Sequence, residues 1–302
     1  MQNKLTVSSS PHMHSAFSTS GIMLDVLIAL LPATVYGIIL YGLRAALVIA
    51  VTVASAVLSE FIWNKTLKKP NSTGDLSAAV TGLILALNLP STLPLWMAAL
   101  GGAVAIIIVK QMFGGLGGNF ANPAITARIV LLVSFPAAMN RFYEPFGDIL
   151  SSATPLVSGN HTVKELLFGM HGGCIGEVSV IMIVIGGIYL ILRRVITPII
   201  PLSFVGSVFV LSWILGVNPV NAIFSGGVMF AAFFMATDYV TSPTFNFGKL
   251  IFGIGCGVIT VVIRVFAALP EGVSYAVLLM NLFVPYINSL TAPKPFGWEA
   301  KK

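Results

Sequence analysis

Charged residues are scarce in this chain. Only 9% of its 302 residues are Asp, Glu, Lys or Arg, whereas 57% are hydrophobic. A soluble domain carries about 25% charged residues. The composition therefore excludes an ordinary soluble domain and predicts an integral membrane protein whose apolar segments are membrane spans.

Cysteine and histidine are also scarce. Cys174 and Cys256 are too few for a disulfide framework or a four-cysteine cluster. We interpret both as small packing residues. The four histidines are scattered without zinc-site spacing, so no metal is predicted. These four histidines are His12, His14, His161 and His171.

An apolar signal sequence is absent from the polar residues 1–21, so the first span itself is expected to direct insertion. The net charge of +6 does not indicate nucleic acid, because membrane proteins collect Lys and Arg on cytoplasmic loops. We predict no nucleic-acid partner.

Ten apolar stretches are long enough, or nearly so, to cross a membrane. They lie at 22–42, 44–63, 76–89, 93–109, 122–139, 178–197, 199–216, 222–237, 250–268 and 273–291. They predict an all-α polytopic membrane protein with five spans in 22–139 and five in 178–291. A loop at 140–177 separates these halves, and polar tails lie at 1–21 and 292–302.

The distribution of Lys and Arg predicts the orientation. With both termini in the cytoplasm, eleven of these residues face inside and four face outside, which is the favoured bias. The inner set is Lys4, Lys65, Lys68, Lys69, Lys110, Arg193, Arg194, Lys249, Lys294, Lys301 and Lys302, and the outer set is Arg44, Arg141, Lys164 and Arg264. This orientation places the 140–177 loop outside the cytoplasm.

The two halves look alike. The stretch 82–90 is similar to 227–238, and 101–110 is similar to 255–264, in the same order. Gly-rich spans also look alike without common origin, so that alternative stays open. Five spans per half is an odd number, and the halves would therefore have opposite orientation, the inverted-repeat plan of many transporters.

The third and eighth spans are unusually short and occupy matching places. One ends at Asn88-Leu-Pro90 and the other at Asp238, ahead of Pro243. Short segments in matching positions indicate half-helices that meet near a central site. Asn88 and Asp238 are therefore candidates for ion coupling, with a solvated helix end as the competing interpretation.

A Gly-rich stretch at 114–124 precedes the apolar run 125–139 of the fifth span. Gly117, Gly118, Asn119 and Asn122 belong to it, and Arg128 follows one turn later. Irregular backbone at membrane depth must be buried in protein or line a cavity, and a buried Arg usually has a partner or an anionic ligand. A phosphate loop is a weak alternative because no Gly-Lys-Ser/Thr pattern is present. For Arg128, the alternative to a partner or an anionic ligand is that its side chain snorkels to the membrane interface.

The 140–177 loop contains a polar cluster, Asp148-Ile-Leu-Ser151-Ser152-Ala153-Thr154. This cluster resembles the flavinylation pattern Asp-x-x-(Ser/Thr)-(Gly/Ser)-Ala-Thr. A chance match is expected in about one in a thousand chains of this length. The small residues leave the backbone accessible, and Pro155 favours an extended conformation for Thr154. An ordinary Ser/Thr turn is the alternative.

The wider chain resembles the NqrB/RnfD family of membrane subunits. Residues 114–124 with Arg128, Asn218-Pro219 and 236–243 resemble the signatures that RnfD of Rnf complexes shares with NqrB of Na⁺-pumping NADH:quinone reductases. The similarity covers most of 20–292, and the short N-terminal tail fits the Rnf subunit better. Ser152 departs from the more usual Gly of the flavinylation pattern. Tyr239 departs from the Pro that usually follows Asp238 in the family.

The resemblance implies a specific function. The chain would be a bacterial cytoplasmic-membrane subunit of an ion-translocating ferredoxin:NAD⁺ oxidoreductase, relaying electrons coupled to Na⁺ or H⁺. FMN would be joined to Thr154 by a flavin transferase, and riboflavin would bind non-covalently among the spans, near 114–128. The C, G, A, E and B subunits of the Rnf complex would be its partners. A quinone-reductase subunit and a non-redox inverted-repeat channel or transporter are the alternatives.

Overall fold

The computed structural model describes residues 18–69, 72–143, 150–151, 162–177, 179–267, 269 and 271–293. The first half contains α1 (Thr19–Thr66), a 3₁₀ turn (Thr73–Asp75), α2 (Ser77–Leu87), α3 (Leu95–Val104) with a π-helical continuation (Ala105–Gln111), α4 (Pro123–Ser134) and α5 (Pro136–Met139). The connection contains β1 (Phe142–Tyr143), β2 (Leu150–Ser151) and α6 (Val163–Phe168). The second half contains α7 (Val180–Leu192), α8 (Ile199–Ile214), α9 (Pro219–Phe224), α10 (Val228–Phe230) with a π-helical continuation (Ala231–Met235), α11 (Asn246–Phe266) and α12 (Gly272–Thr291).

The prediction of a helical membrane protein is confirmed. Three described helices are long and apolar enough to cross a membrane, namely Thr19–Thr66, Asn246–Phe266 and Gly272–Thr291. Shorter apolar helices accompany them. Many large apolar side chains are exposed on the outer surface, as expected where lipid or another protein covers it.

Helix α1 consists of two helices joined at Gly42. Its 48 residues would extend about 70 Å as one straight rod, more than twice the thickness of a hydrocarbon core. Gly42 interrupts it with φ of +67°, a conformation that glycine adopts without a steric penalty. The sequence-based boundary between the first two spans, at residue 43, therefore lies next to the observed break.

The predicted eighth span, 222–237, is not one helix. Helix α9 ends at Phe224, and Gly227, with φ of +72°, precedes α10. The reason is that Arg264 of α11 donates from Nη1 to the carbonyl of Ala222 and from Nη2 to those of Ser225 and Gly226, at 2.8–3.2 Å. These bonds satisfy carbonyls that a continuous helix would otherwise pair.

The third span is short, as predicted. Helix α2 ends at Leu87. Residues near the end of the connection between the halves donate to the carbonyls at and just after this point. Gly176 N–H donates to Leu87 O at 2.7 Å, and Ile175 N–H donates to Leu89 O at 3.1 Å. Both interrupted helices thus end where distant residues satisfy their backbone, the condition for irregular backbone inside a membrane protein.

Small residues bring the helices of the first half close together. A Cβ atom at Gly102 of α3 would lie 2.8 Å from Thr52 O of α1, and one at Gly82 of α2 would lie 3.0 Å from Ala56 Cβ. In lipid, helices associate mainly through such close packing. The second half of α1 is therefore held against both α2 and α3.

The connection between the halves is anchored to α1. The hydroxyl of Tyr36 donates to Phe168 O at 2.6 Å, and that of Tyr41 donates to Gly173 O at 3.4 Å. Strands β1 and β2 pair antiparallel, with Phe142 opposite Ser151. The returning end of the predicted outer loop is consequently fixed to α1, and β1 and β2 are fixed to each other.

Candidate functional site

A partly open cavity of about 80 Å³ lies between the two halves. Helices α1, α2 and α7, the Gly-rich stretch and the end of the α10 π-helical continuation contribute its walls. Most of the wall is apolar, and Ser77, Thr81, Lys110 and Asp238 are among its polar groups. A mostly apolar wall with a few polar groups is typical of small-molecule and cofactor sites.

The Gly-rich stretch contributes two of its predicted residues to this cavity. Asn119 and Asn122 line the wall, whereas Gly117, Gly118 and Arg128 do not. Asn122 caps α4 by accepting from the N–H groups of Ala124 and Ile125, and its Nδ2 donates to Met235 O at 3.2 Å. Asn119 Oδ1 is buried and has no hydrogen-bond partner among the described residues.

Asp238 lines the cavity at the end of the broken eighth span. Its Oδ2 accepts from Thr241 Oγ1 at 3.0 Å, so the carboxylate has a fixed position. The neighbouring Tyr239, which departs from the resembled pattern, also lines the cavity, and its hydroxyl donates to Val195 O. Asn88, the other ion-coupling candidate, does not line the cavity.

A buried ion pair borders the cavity on one side. Lys110 Nζ lies 2.9 Å from Glu60 Oε1, and both residues are at most 1% exposed. Gln111 Nε2 and Ser72 Oγ also donate to this oxygen, at 2.8 and 2.9 Å. Glu60 Oε2 has no partner among the described residues.

Arg128 lies in a second polar cluster, separate from the residues that line the cavity. Its Nη1 donates to Asn88 Oδ1 at 2.7 Å and to Glu177 Oε1 at 2.6 Å. Its Nη2 donates to Glu271 Oε2 at 2.5 Å and lies 3.5 Å from Cys174 Sγ. Two carboxylates thus face one guanidinium in the interior, and Arg128 has protein partners rather than snorkelling to the interface.

Glu177 and Glu271 are site residues that sequence reasoning did not assign. A buried Arg signals an acidic partner, but the sequence does not specify which acid. Glu177 is 49 residues and Glu271 is 143 residues from Arg128 along the chain. The interpretation of Cys174 as a packing residue omits its contact with this guanidinium.

The predicted flavin attachment site lies outside the described residues for Asp148, Ser152, Ala153 and Thr154. The backbone of Ser151 is described and pairs with Phe142. After the site, Thr162 and Glu165 form a capping box that begins α6. Strand β2 therefore lies within the attachment sequence, and a capped helix follows this sequence in the chain.

Comparison with known proteins identifies close relatives. A profile of the NQR2, RnfD, RnfE family matches residues 6–297. The D subunit of the Na⁺-translocating ferredoxin:NAD⁺ oxidoreductase complex of Acetobacterium woodii is 44% identical over 97% of this chain and 95% of its own. The D subunit of the proton-translocating ferredoxin:NAD⁺ oxidoreductase complex of Clostridium ljungdahlii is 39% identical over 98% and 97%, respectively. The D subunit of the ion-translocating oxidoreductase complex of Halorhodospira halophila is 33% identical over 95% and 94%. The chain belongs to the NQR2, RnfD, RnfE family.

Proposed function

We propose that the chain is the membrane-embedded D subunit of an ion-translocating ferredoxin:NAD⁺ oxidoreductase. The observation that carries this proposal is the 44% identity, over nearly the full length of both chains, to a relative of that name. The A, B, C, E and G subunits of the same complex are its expected partners. Ferredoxin and NAD⁺ bind to those partners in this proposal, and this chain relays electrons within the bacterial cytoplasmic membrane.

The proposed architecture has ten spans in two inverted repeats. Packing of matched glycines supports it: a Cβ at Gly101 would lie 2.7 Å from Leu131 of α4, and one at Gly255 would lie 2.5 Å from Met280 of α12. Each glycine thus faces the next long helix of its own half. Both termini are cytoplasmic in this arrangement, and Thr154 is extracytoplasmic.

Two flavins belong to this proposal. FMN is attached through its phosphate to the Thr154 hydroxyl by a flavin transferase, and riboflavin binds in the cavity. Flavins supply the redox chemistry, and the protein supplies binding and orientation. The mostly apolar wall suits the faces of a flat ring, and the unpaired Asn119 Oδ1 can accept from a hydrogen-bond donor on its edge. Lys110 is the only Lys or Arg among the described lining residues and is already paired, which favours uncharged riboflavin over a phosphate-bearing flavin.

A Thr154→Ala chain is expected to retain a flavin that is released on denaturation. Adding Asn119→Leu removes a hydrogen bond to the ring and should weaken riboflavin binding roughly 2- to 10-fold. Fluorescence titration of the purified chain measures this change, and Asn140→Leu, at an exposed site away from the cavity, is the matched control. A Thr154→Ala preparation that holds no flavin and binds none would refute the second site.

Asp238 is the proposed ion-coupling residue, because hard cations prefer oxygen ligands and Asp238 lines the cavity at a broken helix. Asp238→Asn should reduce ion transport by membrane vesicles given reduced ferredoxin and NAD⁺, while Thr154 keeps its flavin. Uptake of ²²Na⁺ with a protonophore, compared with acidification, identifies the ion. Asp25→Asn changes a carboxylate that pairs with Arg193 and does not line the cavity, so it should transport normally. Loss of assembly in Asp238→Asn alone would contradict the coupling role.

The same vesicles test the rival from another class. A channel or solute transporter would move the ion without an electron donor, and deletion of this chain would leave ferredoxin-dependent NAD⁺ reduction intact. The proposed subunit requires both electron donor and acceptor. Transport that persists when reduced ferredoxin is withheld would therefore exclude the proposed function.

A further inference from the structure

Lys110 lies at the cavity wall with an unused hydrogen-bond donor. Its ammonium has three N–H groups. One donates to Glu60 Oε1 at 2.9 Å and another to Ser77 Oγ at 2.5 Å. Within the described part of the chain, no protein acceptor takes the third, although the side chain borders the cavity.

The backbone around Lys110 fixes this arrangement. Residues Ala105–Gln111 form a π-helical continuation of α3. The π-helix is rare in proteins, and where it occurs it is often at a functional site. Lys110 and its neighbour Gln111 both donate to the same oxygen of Glu60. Ser72 donates to it as well, so Glu60 holds Lys110 in one position.

A buried ion pair of this kind does not by itself stabilise a fold. Desolvation of two charges costs about as much as their attraction returns, and an apolar pair of similar volume is often equally stable. The placement of Lys110 at the wall of the cavity between the halves therefore indicates a use in ligand binding.

We propose that Lys110 binds the electron-rich carbonyl edge of the flavin ring in the cavity and that its charge raises the reduction potential of that ring. Ser77 and Glu60 are positioning residues that direct its third N–H. This inference rests on the proposed second flavin. A fixed cation in a poorly screened interior stabilises the negative charge that reduction adds to the ring, and the oxidised ring is neutral and gains less from the cation.

Three acids act on this site together with Lys110. Glu60 of α1 neutralises part of the Lys110 charge, Asp75 accepts from the Ser77 hydroxyl that Lys110 bonds, and Asp238 adds a negative charge elsewhere on the wall. Asp238 is bonded to Thr241. Lys110 is therefore the one cation among the described lining residues that opposes these acids at the ligand.

The test uses the full chain in detergent with Thr154→Ala, so that any flavin measured is the non-covalent one. Riboflavin is the probe. Glu60→Gln with Lys110→Met removes both charges of the pair and leaves no buried charge unpaired. We expect riboflavin affinity to fall about 10-fold or more and the midpoint potential to become more negative. Lys110→Arg keeps the cation and should keep the potential near that of the parent.

A second ion pair provides the matched control. Asp25→Asn with Arg193→Met removes a pair that does not line the cavity, and it should leave both affinity and potential unchanged. A monodisperse Glu60→Gln, Lys110→Met chain with the riboflavin affinity and potential of the parent would overturn the role of Lys110 while leaving the second flavin in place. Failure of the Thr154→Ala parent itself to bind riboflavin would instead remove the flavin site on which the inference rests.

Discussion

Replacing Thr154 by alanine is expected to remove all covalent flavin from the chain. Thr154 supplies the hydroxyl at the last position of the Asp148–Thr154 pattern, and the phosphoester cannot form without that hydroxyl. Co-expression with a flavin transferase, followed by a denaturing gel, measures this as loss of flavin fluorescence from the band. The loss of fluorescence should be complete rather than partial, because only a covalently joined flavin would stay on the band through denaturation.

Two variants make this result specific. Thr154→Ser retains a hydroxyl and should keep some fluorescence, whereas Ser158→Ala removes a hydroxyl outside the pattern and should keep all of it. Fluorescence of the Thr154→Ala band equal to that of the unchanged chain would refute the attachment site. A dark band for the unchanged chain, co-expressed with an active transferase, would refute flavinylation itself.

In the proposed electron path, the two flavins act in order. In the proposed orientation, Thr154 is outside the membrane, whereas the cavity opens among residues near predicted cytoplasmic ends, such as Ser77 and Asp238. In this proposal, a covalent bond keeps the outer flavin on the chain, and the cavity holds the other flavin without such a bond. The two proposed modes of attachment thus correspond to the two environments.

Local features of the fold were predictable from the sequence. The sequence predicts separate spans at 22–42 and 44–63, and the observed break at Gly42 lies at their boundary. The short third span was predicted from the proline at position 90, and the place of Asn119 and Asn122 at a cavity was predicted from irregular backbone that has to be enclosed. Each of these predictions depends on residues that are neighbours in the chain.

Long-range pairs were not predictable. Lys110 was counted as a cytoplasmic charge, but it is buried against Glu60, 50 residues away. Arg264 was counted as an outer charge, but it bonds the carbonyls that interrupt the eighth span. Hydropathy and charge counts treat each span separately, and partners on other helices are absent from such counts.

Replacing Arg128 by methionine is expected to destabilise the chain strongly. The change leaves Glu177 and Glu271 buried without their common cation, and loss of one partner of a buried pair costs about 3–5 kcal/mol. Because Gly176 next to Glu177 bonds the end of α2, and Glu271 begins α12, both halves should loosen together. Thermal unfolding of the purified chain in detergent, together with the monodisperse fraction on gel filtration, measures the loss.

Neutralising the acids distinguishes an ion-pair role from a ligand-binding role for Arg128. The triple variant Arg128→Met, Glu177→Gln, Glu271→Gln removes the guanidinium and both buried charges, so its stability should recover most of the way. Arg128 does not line the cavity, and the triple variant should also bind riboflavin like the parent. A stable triple variant that has lost riboflavin would instead show that Arg128 serves the flavin, as the Gly-rich segment alone suggested. A single variant as stable as the parent would show that the two carboxylates do not need this cation.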